Sequence, residues 1–210
     1  HQTASGHIPW AIHTSGTAWS YSLVTGSSSI YHSLRCGLAI ALHLGAEQPE
    51  WEFAAVRLSS LLRTNEEQFE PKKRWAMDWY YPVLTGALTK DLASQRMASR
   101  FDEFMLDDHG VRCVSDQPWV TTAETCECAM AYLAIGDEAT AHRLFQSVQP
   151  LRDEDGAYFT GMVFPETITF PDGERSTYSS AAVILAADAL TNHSTASRLV
   201  LGHGLPSLGS

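Results

Sequence analysis

The stretch SSSIYHSLRCGLAIALHLGAEQPEWEFAAVRLSSLL, residues 27–62, decides the fold. In its first half, apolar residues such as Ile30 and Leu34 recur at steps of three and four, which is the spacing of one face of an α-helix. Gly45 then ends this helix as a C-terminal cap would, and Pro49, at a first-turn position, begins the next one. The stretch therefore predicts two helices joined by a short link, which is a helical hairpin.

Two more helix pairs and one last helix follow along the chain. Their apolar residues again recur at helical spacing, and a brief turn separates the two members of each pair. The segments are 79–89 with 93–106, 121–135 with 138–149, and the unpaired segment 177–190.

The links between hairpins are much longer than the links inside them. They cover residues 65–78, 107–120 and 150–176. This asymmetry predicts an array whose first helices line an interior and whose long loops gather at one rim. We therefore predict an all-α fold of α/α-toroid type: a partial toroid of about three and a half hairpins over residues 1–191, followed by a flexible tail over residues 192–210.

The composition of the chain argues against several classes of binding partner. The chain has 14 Lys and Arg against 24 Asp and Glu, a formal charge of −10, so its field repels nucleic acid. No stretch reaches the roughly 18 uncharged apolar residues of a membrane span, so a soluble protein is expected. Four cysteines without a CxxC spacing indicate a reduced chain, and hence a cytoplasmic location. No histidine pair has metal-ligand spacing, so neither a metal nor another cofactor is predicted.

Two short stretches share a pattern of glutamine, glycine and aromatic residue. The first runs from Gln2 through Gly6 to Trp10, and the second joins Gln149 to Tyr158 across Gly156. Both resemble loose versions of the QW turn of squalene cyclases, in which these residues tie neighbouring hairpins together. Similar turns occur in the toroids of six-hairpin glycosidases, so the resemblance implies inter-hairpin turns and the later part of a toroid.

A closer resemblance covers roughly residues 2–190. The segments that carry it are TGSSSIYHSLRC (25–36), RWAMDWYYPVLTGAL (74–88), GVRCVSDQPWVTTAETCECAMA (110–131) and GAYFTGMVFP (156–165). They are similar to segments of a bacterial α/α-toroid family labelled prenyltransferase or squalene-cyclase-like. The resemblance implies the fold, whereas the label is an analogy about function.

The candidate site residues lie mainly on the long loops, where aromatic side chains stand beside carboxylates. Aromatic rings can pack on the faces of sugars, and two carboxyl groups about 5 to 9 Å apart can cleave a glycosidic bond. These residues therefore predict recognition or processing of a carbohydrate. The predicted catalytic carboxylates are Asp78, Asp116 and Glu124, and the predicted substrate-binding residues are Tyr31, His32, Trp75, Trp79, Tyr80, Trp119, Glu127 and Tyr158.

Structural roles compete for the same residues. Thr121-x-x-Glu124 fits a capping box, in which the glutamate accepts a hydrogen bond from a backbone N–H at the helix start. Asp78 likewise fits a helix cap. Glu127 lies one turn beyond Glu124 and is expected to share its inward face.

Two other functions stay open. An isoprenoid enzyme, either a terpenoid cyclase or a prenyltransferase, would need cations for diphosphate, and the only tight basic cluster is Lys72-Lys73-Arg74. There is no DxDD motif. A non-catalytic helical scaffold would instead use the array for protein contacts. The open ends of a partial toroid would also favour self-association.

Overall fold

The computed structural model describes residues 1–208, and over this part of the chain the fold is mostly helical. The helices are α1 Val24–His43, α2 Pro49–Thr64, α3 Ala76–Leu84, α4 Lys90–Ser99, α5 Phe101–Phe104, α6 Thr122–Ile135, α7 Glu138–Ser147, α8 Thr177–Thr191 and α9 Thr195–Val200. The short strands are β1 Met105–Leu106, β2 Gly110–Val111, β3 Trp119–Thr121, β4 Gly161–Val163 and β5 Ile168–Phe170.

The three predicted hairpins are present as α1–α2, α3–α4 and α6–α7, and α8 is the predicted last helix. Pro49 begins α2, because its fixed φ and missing N–H suit a first helical position. Gly136 ends α6 with φ +87°, a left-handed conformation that side chains other than glycine rarely adopt.

The first helices of the hairpins pack against one another in chain order. Helix α1 contacts α3, α3 contacts α6, and α6 contacts α8, while α2, α4 and α7 each lie on their hairpin partner. The first helices therefore form one layer and the second helices another. Fully buried residues such as Leu58, Trp79 and Leu144 fill the space between these layers.

The prediction of a helix over 93–106 is wrong for the C-terminal part of that segment. Helix α4 stops at Ser99, because Arg100 has φ −129°, and the short α5 follows. Met105 is extended and pairs with Val111 of β2. The helical spacing of apolar residues continues past Ser99, but strand pairing with a distant segment decides the local structure.

The long loops meet at the N-terminal ends of the first-layer helices. Ser22, just before α1, accepts a hydrogen bond from the N–H of Glu70 at 2.9 Å. Ala76, which begins α3, donates to the Cys113 carbonyl at 3.0 Å, and Thr122, which begins α6, donates to the Thr160 carbonyl at 3.1 Å. We call this surface, formed by residues 2–23, 65–75, 107–121 and 150–176, the loop rim.

The two glutamine-containing turns anchor loops to helices. The Gln2 side chain donates to the carbonyls of Gly6, at 2.9 Å, and of Ala54 in α2, at 3.0 Å. In the second turn Tyr158 donates its hydroxyl hydrogen to the Gln149 side chain at 3.1 Å.

Part of the segment after Thr191 folds against the first hairpin. Helix α9 forms here, although the sequence pattern did not predict it, and Leu205 is buried. The buried guanidinium of Arg35 donates to the Pro206 carbonyl at 3.0 Å and to the Gly202 carbonyl at 3.2 Å. Residues 209 and 210 of the predicted tail lie outside the described residues.

Apolar side chains are exposed at both ends of the array. Leu42 at the end of α1 is 78% exposed, and Ile184 on α8 is 68% exposed. Self-association through these ends stays a prediction. No helix among residues 1–208 is long and apolar enough to cross a membrane.

Candidate functional site

A buried carboxyl group joins three helices of the first layer. Glu127 of α6 accepts hydrogen bonds from the hydroxyl groups of Tyr80, at 2.5 Å, and Tyr81, at 3.2 Å, both on α3. Tyr178, in the first turn of α8, donates to the same carboxyl at 2.5 Å. Tyr80 is fully buried, whereas Tyr178 is 55% exposed. The cluster therefore runs from the core to the surface.

Burial controls the protonation of this cluster. It raises the pKa of Glu127 above the usual range for a glutamate, and the tyrosine hydroxyl groups only partly offset this rise. Burial and the adjacent carboxyl group also raise the pKa values of Tyr80, Tyr81 and Tyr178, so all three remain hydrogen-bond donors at neutral pH.

Glu124 is the more accessible acid and lies one turn before Glu127 on α6. It accepts a hydrogen bond from the Thr121 hydroxyl, but no capping hydrogen bond joins a side chain to the helix start. Thr121 is also the last residue of β3 and pairs with Gly161. The predicted capping box is thus replaced by a contact between two side chains, which leaves Glu124 half-buried beside a buried acid.

Strands β3, β4 and β5 form a small antiparallel sheet on the loop rim next to Glu124. Trp119 on β3 is 37% exposed and contacts the Phe170 ring at 5.7 Å between centroids. A Cβ at Gly161 would lie 2.6 Å from the Phe170 ring, so only glycine leaves room for that ring. The result is an aromatic surface on the strand whose last residue, Thr121, contacts Glu124.

Asp116 and Trp75 lie on the loop rim but make other contacts. Asp116 is exposed and bonded to Arg74 at 2.9 Å, and this bond lowers the pKa of the carboxyl group. The Arg74 guanidinium also lies 5.5 Å from the centre of the Trp75 ring, and Trp75 is 45% exposed. The structure gives Asp116 no contact with Glu124 or Glu127.

Four of the predicted substrate-binding residues do not face the acidic cluster. Trp79 has no exposed surface, and its indole N–H donates to the Arg96 carbonyl at 2.8 Å, so it offers no ring face to a sugar. Tyr31 is packed in the first hairpin. His32 lies 3.4 Å from the Thr85 carbonyl, and burial lowers its pKa. Tyr158 is buried at the second glutamine turn. These side chains are of types that bind sugars, but they pack in the core or against other segments and so do not reach the acidic cluster.

Asp78 is buried under the 65–73 loop, away from the acidic cluster. One of its carboxylate oxygens accepts the Lys72 N–H at 3.2 Å, and the other, Oδ1, has no partner. Its surroundings include Glu66 and Arg96, which pair at 2.5 Å. Burial raises the pKa of Asp78 to about 6. Its predicted role as a helix cap is wrong, because Trp75 is the N-cap residue and Asp78 lies inside α3.

We expect Asp78→Asn to stabilise the protein at neutral pH. A carboxyl group whose folded pKa is raised binds its proton more tightly in the folded state, so its contribution to stability falls as pH rises from about 4 to 6. Asparagine keeps an acceptor for Lys72 and removes the buried charge. The gain at pH 7 should be about 1–2 kcal/mol, measured by urea unfolding, and should vanish at pH 4. A variant that is equally destabilised at both pH values would contradict the assignment.

Sequence reasoning missed Tyr178 and did not place Tyr81 in the site. The periodic pattern put Tyr178 at the start of the last helix, but only the packing of α8 on α6 shows that its hydroxyl group reaches Glu127. The predicted array, in which the first helices line an interior, is the sequence signal most closely related to this contact. Among residues 1–208, no group of three or more His, Cys, Asp or Glu is placed to hold a metal ion.

The fold and the site define a protein of helical hairpins that carries paired glutamates and aromatic rings at one rim. No protein-family model matches the chain. A curated protein of Mycolicibacterium hassiacum, named MMP endo-(1,4)-3-O-methyl-alpha-D-mannosidase, is 46% identical over 205 residues. The similarity covers 98% of this chain and 56% of that protein, so the chain spans little more than half the length of the relative.

Proposed function

We propose that this chain takes part in cleaving glycans, and that its substrate is a (1,4)-linked chain of 3-O-methyl-α-D-mannose cut at internal bonds. The name of the relative supplies the substrate class. The 46% identity along 98% of this chain supports assigning the same class to this protein. The observation that supports this chemistry is the half-buried Glu124 one turn from the buried Glu127.

Glu124 fits one of the two carboxyl roles in glycoside cleavage. Side chains three residues apart on a helix are neighbours, so Glu124 lies beside the buried Glu127. Glycosidases use two carboxyl groups about 5 to 9 Å apart. Glu124 is accessible, so we assign it the contact with the glycosidic oxygen or with the attacking water.

Glu127 acts in this proposal as a positioning residue. Three tyrosine hydroxyl groups hold its carboxyl group, which leaves it little capacity to bind substrate directly. Glu127 acts on the site indirectly: its carboxyl group accepts the hydrogen bond that holds the partly exposed Tyr178 ring in place at the surface. The aromatic surface formed by Trp119 and Phe170 then supplies a stacking face for a sugar ring.

The architecture we propose is part of an α/α toroid, of the kind found in the prenyltransferase or squalene-cyclase-like family and in six-hairpin glycosidases. The packing of α1, α3, α6 and α8 in chain order supports this architecture, as does the meeting of the long loops at one rim. The isoprenoid alternative has weaker support, because Lys72 lies 3.6 Å from Glu70 and Arg74 pairs with Asp116.

The test is to offer the purified chain three ligands: 3-O-methylated (1,4)-α-mannose oligosaccharides, their unmethylated counterparts, and an isoprenoid diphosphate with Mg²⁺. We expect thermal stabilisation by the methylated oligosaccharide, and mass spectrometry should show products from internal cleavage. A ligand at a hundredfold excess over its Kd adds about 2.7 kcal/mol of stability. Stabilisation by the diphosphate alone would contradict the proposal and favour the isoprenoid class.

A further inference from the structure

An exposed hairpin of residues 10–21 precedes α1 on the loop rim. Ile12 pairs with Ala18, and the N–H of Trp10 donates to the Tyr21 carbonyl at 2.9 Å. Three rings pack against one another on the hairpin: His13 stacks on Trp19 at 5.3 Å between centroids, and Trp19 meets the ring of Tyr21 edge-on at 5.5 Å. The hairpin is therefore an ordered structure rather than a loose loop.

Trp10 is exposed, although the aromatic residue at the same place in the other glutamine turn is buried. The equivalent aromatic residue of the second glutamine turn, Tyr158, is 8% exposed and bonded to Gln149. Trp10 is 52% exposed, although it is the larger ring. Its inner edge rests near Gly26 in the first turn of α1, where a Cβ would lie 4.0 Å from the ring. The turn is held by Gln2 instead, so the exposed indole is free to bind a ligand.

The chemistry of the hairpin suits a neutral, hydroxyl-rich ligand. Residues 10–21, WAIHTSGTAWSY, contain no Asp, Glu, Lys or Arg in a chain that carries a formal charge of −10. The hairpin carries both rings and hydroxyl groups, and the Ser15 hydroxyl lies 3.2 Å from that of Thr17. A sugar presents an apolar face to an indole ring and hydroxyl groups to serine and threonine, whereas a charged peptide or phosphate would find no Asp, Glu, Lys or Arg here.

The hairpin also lies on the same rim as Glu124. Ser22, just before α1, accepts a hydrogen bond from Glu70 in the 65–75 loop, and Ala76, at the start of α3, donates one to Cys113 in the 107–121 loop. We propose that the 10–21 hairpin, with Trp10 as its stacking ring, is an accessory sugar-binding platform that holds a glycan chain away from the point of cleavage. This proposal rests on the proposed function, and it makes the substrate an extended oligosaccharide.

The test compares Trp10→Ala with wild type by calorimetric titration with short and long 3-O-methylated mannose oligosaccharides. An aromatic contact contributes about 0.5–1.5 kcal/mol, so the Kd for the long oligosaccharide should rise about two- to tenfold. The Kd for a disaccharide should not change. Trp51→Ala is the matched control, because Trp51 is 44% exposed but lies on α2 in the second layer.

Each result of this experiment supports or overturns the proposed sugar-binding platform. Loss of affinity for long ligands alone, in Trp10→Ala alone, is the expected result. Unchanged binding in Trp10→Ala would overturn the platform and leave the proposed function intact, since wild type would still bind the glycan. Equal losses for short and long ligands would also overturn it, because Trp10 would then belong to the cleavage site. If wild type binds neither length, the proposed function and the platform both fail.

Discussion

Glu124→Gln should lower the rate of glycan cleavage about 10²- to 10⁴-fold, while the Kd for the oligosaccharide changes little. The amide has the same shape and can still accept a hydrogen bond from Thr121, so the start of α6 should keep its structure. It can neither donate an acidic proton nor accept one at neutral pH. The loss should therefore appear in kcat, as expected for a group that acts in the transition state.

A matched control separates chemistry from the general loss of a charge. Glu138 lies in the first turn of α7, as Glu124 lies in the first turn of α6, but Glu138 is exposed and α7 belongs to the second layer. Glu138→Gln should leave kcat and the thermal midpoint unchanged. If Glu124→Gln retains wild-type kcat, the catalytic assignment is wrong, and Glu124 has only a structural role.

The hairpins could be predicted because their signals are local. Periodic apolar residues, Pro49 at the start of α2 and Gly136 after α6 each act within a few residues of sequence. The end of α4 could not be predicted in this way. Met105 joins a strand because Val111 is available to pair with it, and that pairing depends on the fold of the following turn.

The site could be predicted only in part, for a related reason. Glu124 and Glu127 share a helix, so their spacing indicates that they are neighbours. Tyr178 lies 51 residues beyond Glu127, and its contact depends on how α8 packs on α6. Trp79 has the same chemistry as Trp119, yet one ring is buried and the other is on a strand at the surface. Composition identifies the residue types, and packing decides which of them are accessible.

Glu127→Ala should lower the free energy of unfolding by about 3–5 kcal/mol. The substitution leaves the hydroxyl group of the fully buried Tyr80 without its acceptor, and an unsatisfied buried donor costs about 1–3 kcal/mol. It also removes the acceptor for Tyr81 and Tyr178 and opens a cavity among three helices. Urea unfolding, followed by circular dichroism, would measure the loss.

Glu127→Gln separates charge from shape. Glutamine fills the same volume, so the loss of stability should be smaller, about 1–2 kcal/mol at acidic pH, and it should decrease as pH rises. Because the folded-state pKa of Glu127 is raised, the stability of the wild type should fall as pH rises from the usual glutamate pKa through the raised value. The glutamine variant should lack that fall, so the two stability curves should converge as pH increases.

A double-mutant cycle assigns the energy to the tyrosine contact. Tyr80→Phe removes one hydroxyl group, and its effect combined with that of Glu127→Gln should be less than the sum of the two single effects, by about 0.5–3 kcal/mol. Phe104, which is also fully buried but stacks on Trp79, offers a control position outside the cluster. Phe104→Leu should add to Glu127→Gln without coupling. Strict additivity for Tyr80 would mean that the 2.5 Å contact contributes no stability, and Glu127 would then lose its role as the residue that ties α3 and α8 to α6.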